Sequence, residues 1–144
     1  MFPRILRFLS LIRENHEFLV EFTNDCLRAM CEADSGCVPK GCSRDTHGRL
    51  GCGYFRINIY QFKQCYQPGK KIDQDEEEAW ITCAEDYYCS QDCIKRISNR
   101  FKLKCYGKSD CEALARIHDG GANGCRSGDT LQYWNLVKQK CPHC

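Results

Sequence analysis

Fourteen cysteines in 144 residues, an even number and nearly one residue in ten, constrain this chain more than any other feature. At that density they read as a disulfide framework, which persists only in an oxidising compartment, and six or seven bridges are expected. A zinc scaffold would instead need CxxC pairs in tandem. The only such spacing is Cys141-Pro142-His143-Cys144 at the end of the chain, while Cys89 and Cys93 stand four apart. Neither a metal nor a cofactor is therefore expected. The length suits one domain, and cross-links of roughly 2–4 kcal/mol each would supplement a core interrupted by glycines and charges.

A net charge of +2 makes no electrostatic case for nucleic acid or for a membrane surface as partner. Five acids between Asp73 and Glu78, and a basic run of Lys95, Arg96, Arg100, Lys102 and Lys104, read first as solvated faces. Docking of the basic face on an anionic cell wall is the functional alternative. Residues 1–22 are apolar in part but broken by Arg4, Arg7, Arg13, Glu14 and Glu17, short of the roughly 7–15 apolar residues of a secretion signal. That segment is expected to lie outside the domain as a degenerate signal or a misplaced start, with the domain spanning 23–144. No stretch is long and apolar enough to span a membrane. The oligomeric state is left open.

Helix and turn signals alternate along the domain. Thr23, Asn24 or Asp25 can cap a helix carrying Cys26, Leu27, Met30 and Cys31, which Gly36 ends just beyond Asp34. From Val38 to Ile59, Pro39 and four glycines separate short β-prone pieces such as Tyr54–Ile57, which predicts a small antiparallel sheet with Asp45 on it or beside it. Asp73 or Asp75 is expected to start a helix through Trp80, Ile81 and Cys83. Ser90 is expected to open another through Cys93, Ile94, Ile97 and Phe101. Ser109 and Glu112 have capping-box spacing before Leu114 and Ile117, with Gly120-Gly121 as the stop, and Asp129-Thr130 precedes a last helix through Trp134 and Val137. The fold class is α+β, mainly helical with one small sheet.

Chemistry concentrates between Cys31 and Tyr54, CEADSGCVPKGCSRDTHGRLGCGY, where Glu32, Asp34 and Asp45 alternate with cysteines. These acids read in one way as solvated turn and helix-end residues. They read in another as the carboxyl pair of glycoside hydrolysis, one protonating the leaving oxygen and the other attacking or stabilising the oxocarbenium-like centre. Asp34 near a helix C-terminus feels the negative end of the dipole, which together with partial burial favours the protonated form a general acid needs.

The motifs CLRAMCEADSGCVPKGCSRD, GCGYFRI, ARIHDGGANGC and YWNLV resemble the invertebrate-type lysozymes, the family that includes leech destabilase, from about residue 25 to Cys141. The resemblance implies a disulfide-rich lysozyme-like fold, secretion, and cleavage of the β-1,4 bonds of bacterial peptidoglycan in defence or digestion. It places the proton donor three residues after Cys31, at Asp34, where the family has Glu, and the nucleophile at Asp45. Asp is one C–C bond shorter, roughly 1.5 Å, and a misplacement near 1 Å can cost about a hundredfold in rate. Attenuated activity is expected, with Glu32 a substitute only if the helix end is distorted. The alternative is a non-catalytic module binding peptidoglycan or chitooligosaccharide.

The resemblance further implies sugar binding by Asn58, Tyr60 and Phe62 and by the loop of His118, Asp119 and Gly120. Amides and carboxylates there would pair with hydroxyls and rings would stack on sugar faces. In the plainer reading Tyr60 and Phe62 are core and His118 orders its turn; Tyr133 and Trp134 read as core. The family's isopeptidase serine and lysine correspond to Gly51 and Asn58, in a loop from Asp45 to Cys52 one residue longer than usual, so isopeptidase activity is not expected. A family cysteine is Ala29 here and Cys144 is extra. Either Cys144 takes up the partner that Ala29 leaves free, or two thiols stay unpaired.

Overall fold

The computed structural model describes residues 23–45 and 47–144. The segment 1–22, expected to stand apart from the domain, falls outside the described residues. Helix α1 covers 23–35 and is helical at Thr23, Asn24 and Asp25; the first turn, where one of these was expected to cap it, adjoins residues outside the described ones. It buries Cys26, Leu27, Met30 and Cys31 on one face. It stops as expected at Gly36, which takes a positive φ of 75° while its N–H donates to the Glu32 carbonyl at 3.0 Å. Ser35 anchors this end: its buried hydroxyl donates to the Tyr54 carbonyl at 2.7 Å and accepts from the Val38 N–H at 3.2 Å.

Strands β1 (Cys42–Arg44) and β2 (Leu50–Cys52) form the small antiparallel sheet, with Cys42 opposite Cys52 and bridged to it. Asp45 follows β1 directly. The β-prone piece Tyr54–Ile57 does not extend the sheet. It folds back as a tight turn in which Cys52 and Ile57 exchange both backbone hydrogen bonds at 3.0 Å, because Phe55 and Ile57 reach the core only on reversal.

Helix α2 (Ile59–Gln64) is capped by Asn58, α3 (Glu76–Ala84) by Asp75, and α5 (Asp110–Gly120) by Ser109. Two starts differ from expectation. Helix α4 (Tyr87–Phe101) begins three residues before Ser90, because the Asp86 carboxylate accepts from the Cys89 N–H at 2.7 Å; Ser90 is buried inside and bonds back to the Asp86 carbonyl. Helix α6 (Leu131–Lys140) receives no side-chain cap. Ser127 caps the preceding 3-10 turn (Gly128–Thr130), and the Thr130 hydroxyl is committed to buried Arg116 and the Gly124 carbonyl. The Ser109–Glu112 box is half formed, since Glu112 pairs with Arg116 at 2.8 Å.

One core runs through the helices, β2 and the turn after it, with Phe55, Phe62, Leu27, Met30 and Ile117 fully enclosed, while β1 is exposed throughout. The Trp80 indole N–H donates to the Ile57 carbonyl at 2.9 Å and docks α3 beneath the turn after β2. All fourteen cysteines pair: 26–111, 31–37, 42–52, 65–93, 83–89, 105–125 and 141–144. Cys144 thus closes on Cys141, and Ala29 is simply a buried core residue.

Loop length separates these bridges. In the chain-entropy description, Cys26–Cys111, 85 residues apart, contributes about 4.6 kcal/mol, and Cys141–Cys144, three apart, about 1.9 kcal/mol. Removing the first pair as serines is expected to abolish folding at 37 °C, and removing the last to leave a folded domain, read by thermal unfolding. At Gly53, with φ +74°, a Cβ would overlap the Ala84 carbonyl where the turn meets α3. Gly53→Ala is expected to lower stability by more than about 2 kcal/mol, measured by denaturant titration.

Candidate active site

The end of α1, the turn after β1, the turn after β2 and the end of α5 converge on one cavity of about 140 Å³. Asp34, Asp45, Asn58, His118 and Asp119 line it, joined by Arg49, Arg56, Gln61 and Tyr133. A wider cleft of about 900 Å³ shares Asp34, Asp45 and Asp119 and adds Gly120. Of the expected sugar-binding residues, Tyr60 and Phe62 line neither. Phe62 is fully enclosed in the core, and Tyr60 stands 72% exposed on the other side of α2's first turn. Helical geometry explains the split, since the apolar face of so short a helix must turn inward.

Asp34 occupies the last turn of α1 with its side chain only 12% exposed. Its Oδ2 accepts from the Tyr133 hydroxyl at 3.1 Å and lies 3.2 Å from His118 Nε2. Burial raises the carboxyl's pKa above the usual range, against the opposing pull of His118 and Tyr133, and Asp119 nearby adds to the rise. His118 is itself buried, its Nε2 at 2.9 Å from the Phe55 carbonyl oxygen and its Nδ1 at 3.3 Å from Gln61 Nε2. Burial disfavours its cation, but the adjoining Asp34 carboxylate prevails and pulls its pKa up. Burial and the Asp34 charge push the Tyr133 phenol well above its ordinary value, so it stays a proton donor to the carboxylate.

Asp45 has the opposite setting. It is partly exposed, and loss of hydration, which would raise its pKa, is outweighed by hydrogen bonds. Oδ1 accepts from the N–H groups of His47 at 2.8 Å and Arg49 at 2.9 Å, and Oδ2 accepts from Arg49 Nε at 3.0 Å. These hold the carboxyl below the usual range. The two acids therefore share a cavity with their pKa values driven apart, as acid–base work requires. Asp119, half-buried, is a third carboxyl in the cavity, its pKa raised by burial.

Glu32 points away, paired with Arg28 at 3.2 Å on the exposed face of α1. Gly51 and Asn58 supply neither a hydroxyl nor an amine. A Cβ at Gly51 would press on the Arg56 carbonyl, and the Asn58 side chain is occupied as the α2 cap. Sequence reasoning placed Tyr133 in the core and passed over Gln61 and Arg49. Only the Gln61 signal was available in sequence, as the third residue after a capping Asn. Cys141, His143 and Cys144 bring possible ligand atoms within 4.8 Å of one another, but both sulfurs are spent in their mutual disulfide.

A family model described as Destabilase matches residues 23–141. "Invertebrate-type lysozyme 3" of Caenorhabditis elegans is 39% identical over 143 residues, 98% of either chain. "Invertebrate-type lysozyme 2" of the same nematode is 44% identical over 119 residues, 81% of this chain and 85% of the relative. The crystal structure of Tapes japonica lysozyme superposes with a TM-score of 0.69 at 40% identity, over 83% of this chain and 90% of that one. With its cysteine framework, its two differentiated acids and these likenesses in accord, the chain belongs to the destabilase family of invertebrate-type lysozymes.

Proposed function

We propose that this lysozyme-type glycosidase cleaves the β-1,4 bonds of bacterial peptidoglycan outside the cell, with Asp34 as general acid and Asp45 as the carboxylate facing the cationic centre. The observation that carries the assignment is the opposed environment of the two acids in one cavity. Asp34 Oδ2 accepts from Tyr133 and adjoins His118, so Oδ1 is the oxygen left to carry the proton to the glycosidic oxygen. Asp45, ionised by three donors, attacks or stabilises the oxocarbenium-like sugar. Asn58, Asp119 and Gly120 are the residues proposed to hold the sugar, while His118, expected among them, has both ring nitrogens engaged by Gln61, Phe55 and Asp34 and orders this wall of the cavity. Seven disulfides support an oxidising, extracellular setting, and no described helix is long and apolar enough to cross a membrane.

Asp34 is short for its role and its Oδ2 is committed, so turnover below that of a Glu-bearing active site is expected. Lysis of bacterial walls should fall by more than about a hundredfold in Asp34→Asn and rise well above the parent in Asp34→Glu. Chitooligosaccharide binding with lysis by neither parent nor Asp34→Glu would instead establish the binding-module reading.

The pH profile follows from the same pair. Asp34 must hold its proton, so rate is lost as pH rises through its raised pKa; Asp45 must be ionised, so rate is lost as pH falls through its lowered one. Arg49→Met removes one of the groups that lower the Asp45 pKa. The acid limb of kcat/KM should move to higher pH while the basic limb stays, and a shift of the basic limb alone would contradict the assignment.

A further inference from the structure

His118 and Asp34 form a buried pair 3.2 Å apart; with one proton on the ring, a second can rest either on the imidazole, making the ion pair, or on the carboxyl. The carboxylate's pull on the imidazole favours the ion pair, which would leave the acid without its proton. The geometry around Gln61 acts against that outcome. Its Oε1 accepts from the Asn58 N–H at 2.8 Å, completing the capping box of α2, and its Nε2 donates to the His118 carbonyl at 3.0 Å. A backbone N–H on one side demands the amide oxygen and a backbone carbonyl on the other demands the amide nitrogen, so the orientation of this amide is set twice over. The same Nε2 lies 3.3 Å from His118 Nδ1, which must therefore accept. The ring's proton is left on Nε2, where the Phe55 carbonyl, able only to accept, requires it at 2.9 Å.

We propose that Gln61 is a positioning residue for the glycosidase reaction: by donating to His118 Nδ1 it holds the imidazole neutral, protonated on Nε2 alone, and so leaves the second proton of the pair on Asp34. An imidazolium would set an Nδ1–H against the amide N–H groups. Relief would require the amide to flip, breaking the bonds to Asn58 N and His118 O and opening the Gln61 half of the α2 capping box. The other groups facing the ring are Asp34 from α1, Tyr133 from α6 and the neighbouring Asp119, itself influenced by Arg49, His47 and Asp45. Both acids favour the cation, and Gln61 is the polar group opposing it. With the Tyr133 hydroxyl donating to Oδ2, and the Nε2–H forked between that oxygen at 3.2 Å and the Phe55 carbonyl at 2.9 Å, the acid's proton sits on Oδ1. From there it passes to the glycosidic oxygen as the C–O bond breaks, leaving Asp34 ionised.

This inference rests on the glycosidase reading, and its test separates the two. In the full, oxidised, 15N-labelled protein, the ring nitrogens of His118 report protonation directly, while wall lysis reports the reaction. The parent is expected to show the neutral Nε2–H form at the pH of maximal lysis. Gln61→Glu presents an acceptor to both Asn58 N–H and Nδ1–H. It should raise the His118 pKa by at least about one unit, lower that of Asp34, shift the lysis optimum to lower pH and cost about tenfold at the parent's optimum. Gln61→Met, which has no donor or acceptor of that kind, should show an intermediate loss with mixed tautomers and the parent's disulfides. An imidazolium or an Nδ1–H tautomer in the parent at its optimum, or an unchanged His118 titration in Gln61→Glu, would overturn the role of Gln61. Shifts as expected, with no lysis by the parent or by Asp34→Glu, would uphold the tautomer control and remove the glycosidase reading.

Discussion

The structure depends on how α1 and α5 are locked together. Cys26 on α1 is bonded to Cys111 on α5, and about two helical turns further on Asp34 and His118 meet at 3.2 Å. Two fixed contacts that far apart make the helices run side by side in the same direction, so the bridge sets the register in which an acid and an imidazole face one another. The bridge contributes stability by constraining the unfolded chain, but its consequence for chemistry is positional. Ser35 then ties the same helix end to the turn after β2, and Trp80 ties that turn to α3. The cavity wall is thus cross-braced on three sides.

Within that frame the two carboxyls are differentiated by solvent and by donors. Asp34 is enclosed by Tyr133, His118 and the α1 backbone, so the dominant influence is the cost of burying charge. Asp45 sits on a turn where three N–H groups point at it, so its charge is compensated locally. Such a division needs no difference in residue type; it comes from placing one acid on a helix that packs into the core and the other on a hairpin at the surface. The positions where isopeptidase groups would stand have been put to other uses. Gly51 lets the Arg56 backbone approach β2, and Asn58 caps α2 and orients Gln61.

Much of this was legible in the chain itself. The cysteine density announced a cross-linked domain because no other use of so many cysteines fits their spacing. Asp75, Ser109 and Gly36 were readable as helix boundaries because caps act through local hydrogen bonds. The same locality misled at Ser90, where Asp86 offered a better cap and the serine was free to be buried. It misled again at Tyr54–Ile57, where the core's demand for Phe55 and Ile57 overrode strand propensity.

By itself, then, the sequence determined the family framework, four of the five later helices' places in the order and the hairpin between Cys42 and Cys52, since each is written in spacing and local chemistry, while the short helix Ile59–Gln64 went unread. The sequence left Asn58 and Phe62 indistinguishable as sugar contacts. Only tertiary structure decided that Phe62 is core, that Cys144 closes on Cys141, and that Tyr133, Gln61 and Arg49 belong to the cavity. Tyr133 meets Asp34 across 99 residues of chain and Gln61 meets His118 across 57. Contacts at that separation are chosen by how whole helices pack, and no local pattern encodes them. The setting of Asp34 depends on those contacts, because burial, opposed by the distant His118 and Tyr133 groups, rather than the identity of the residue, lifts its carboxyl above its ordinary range.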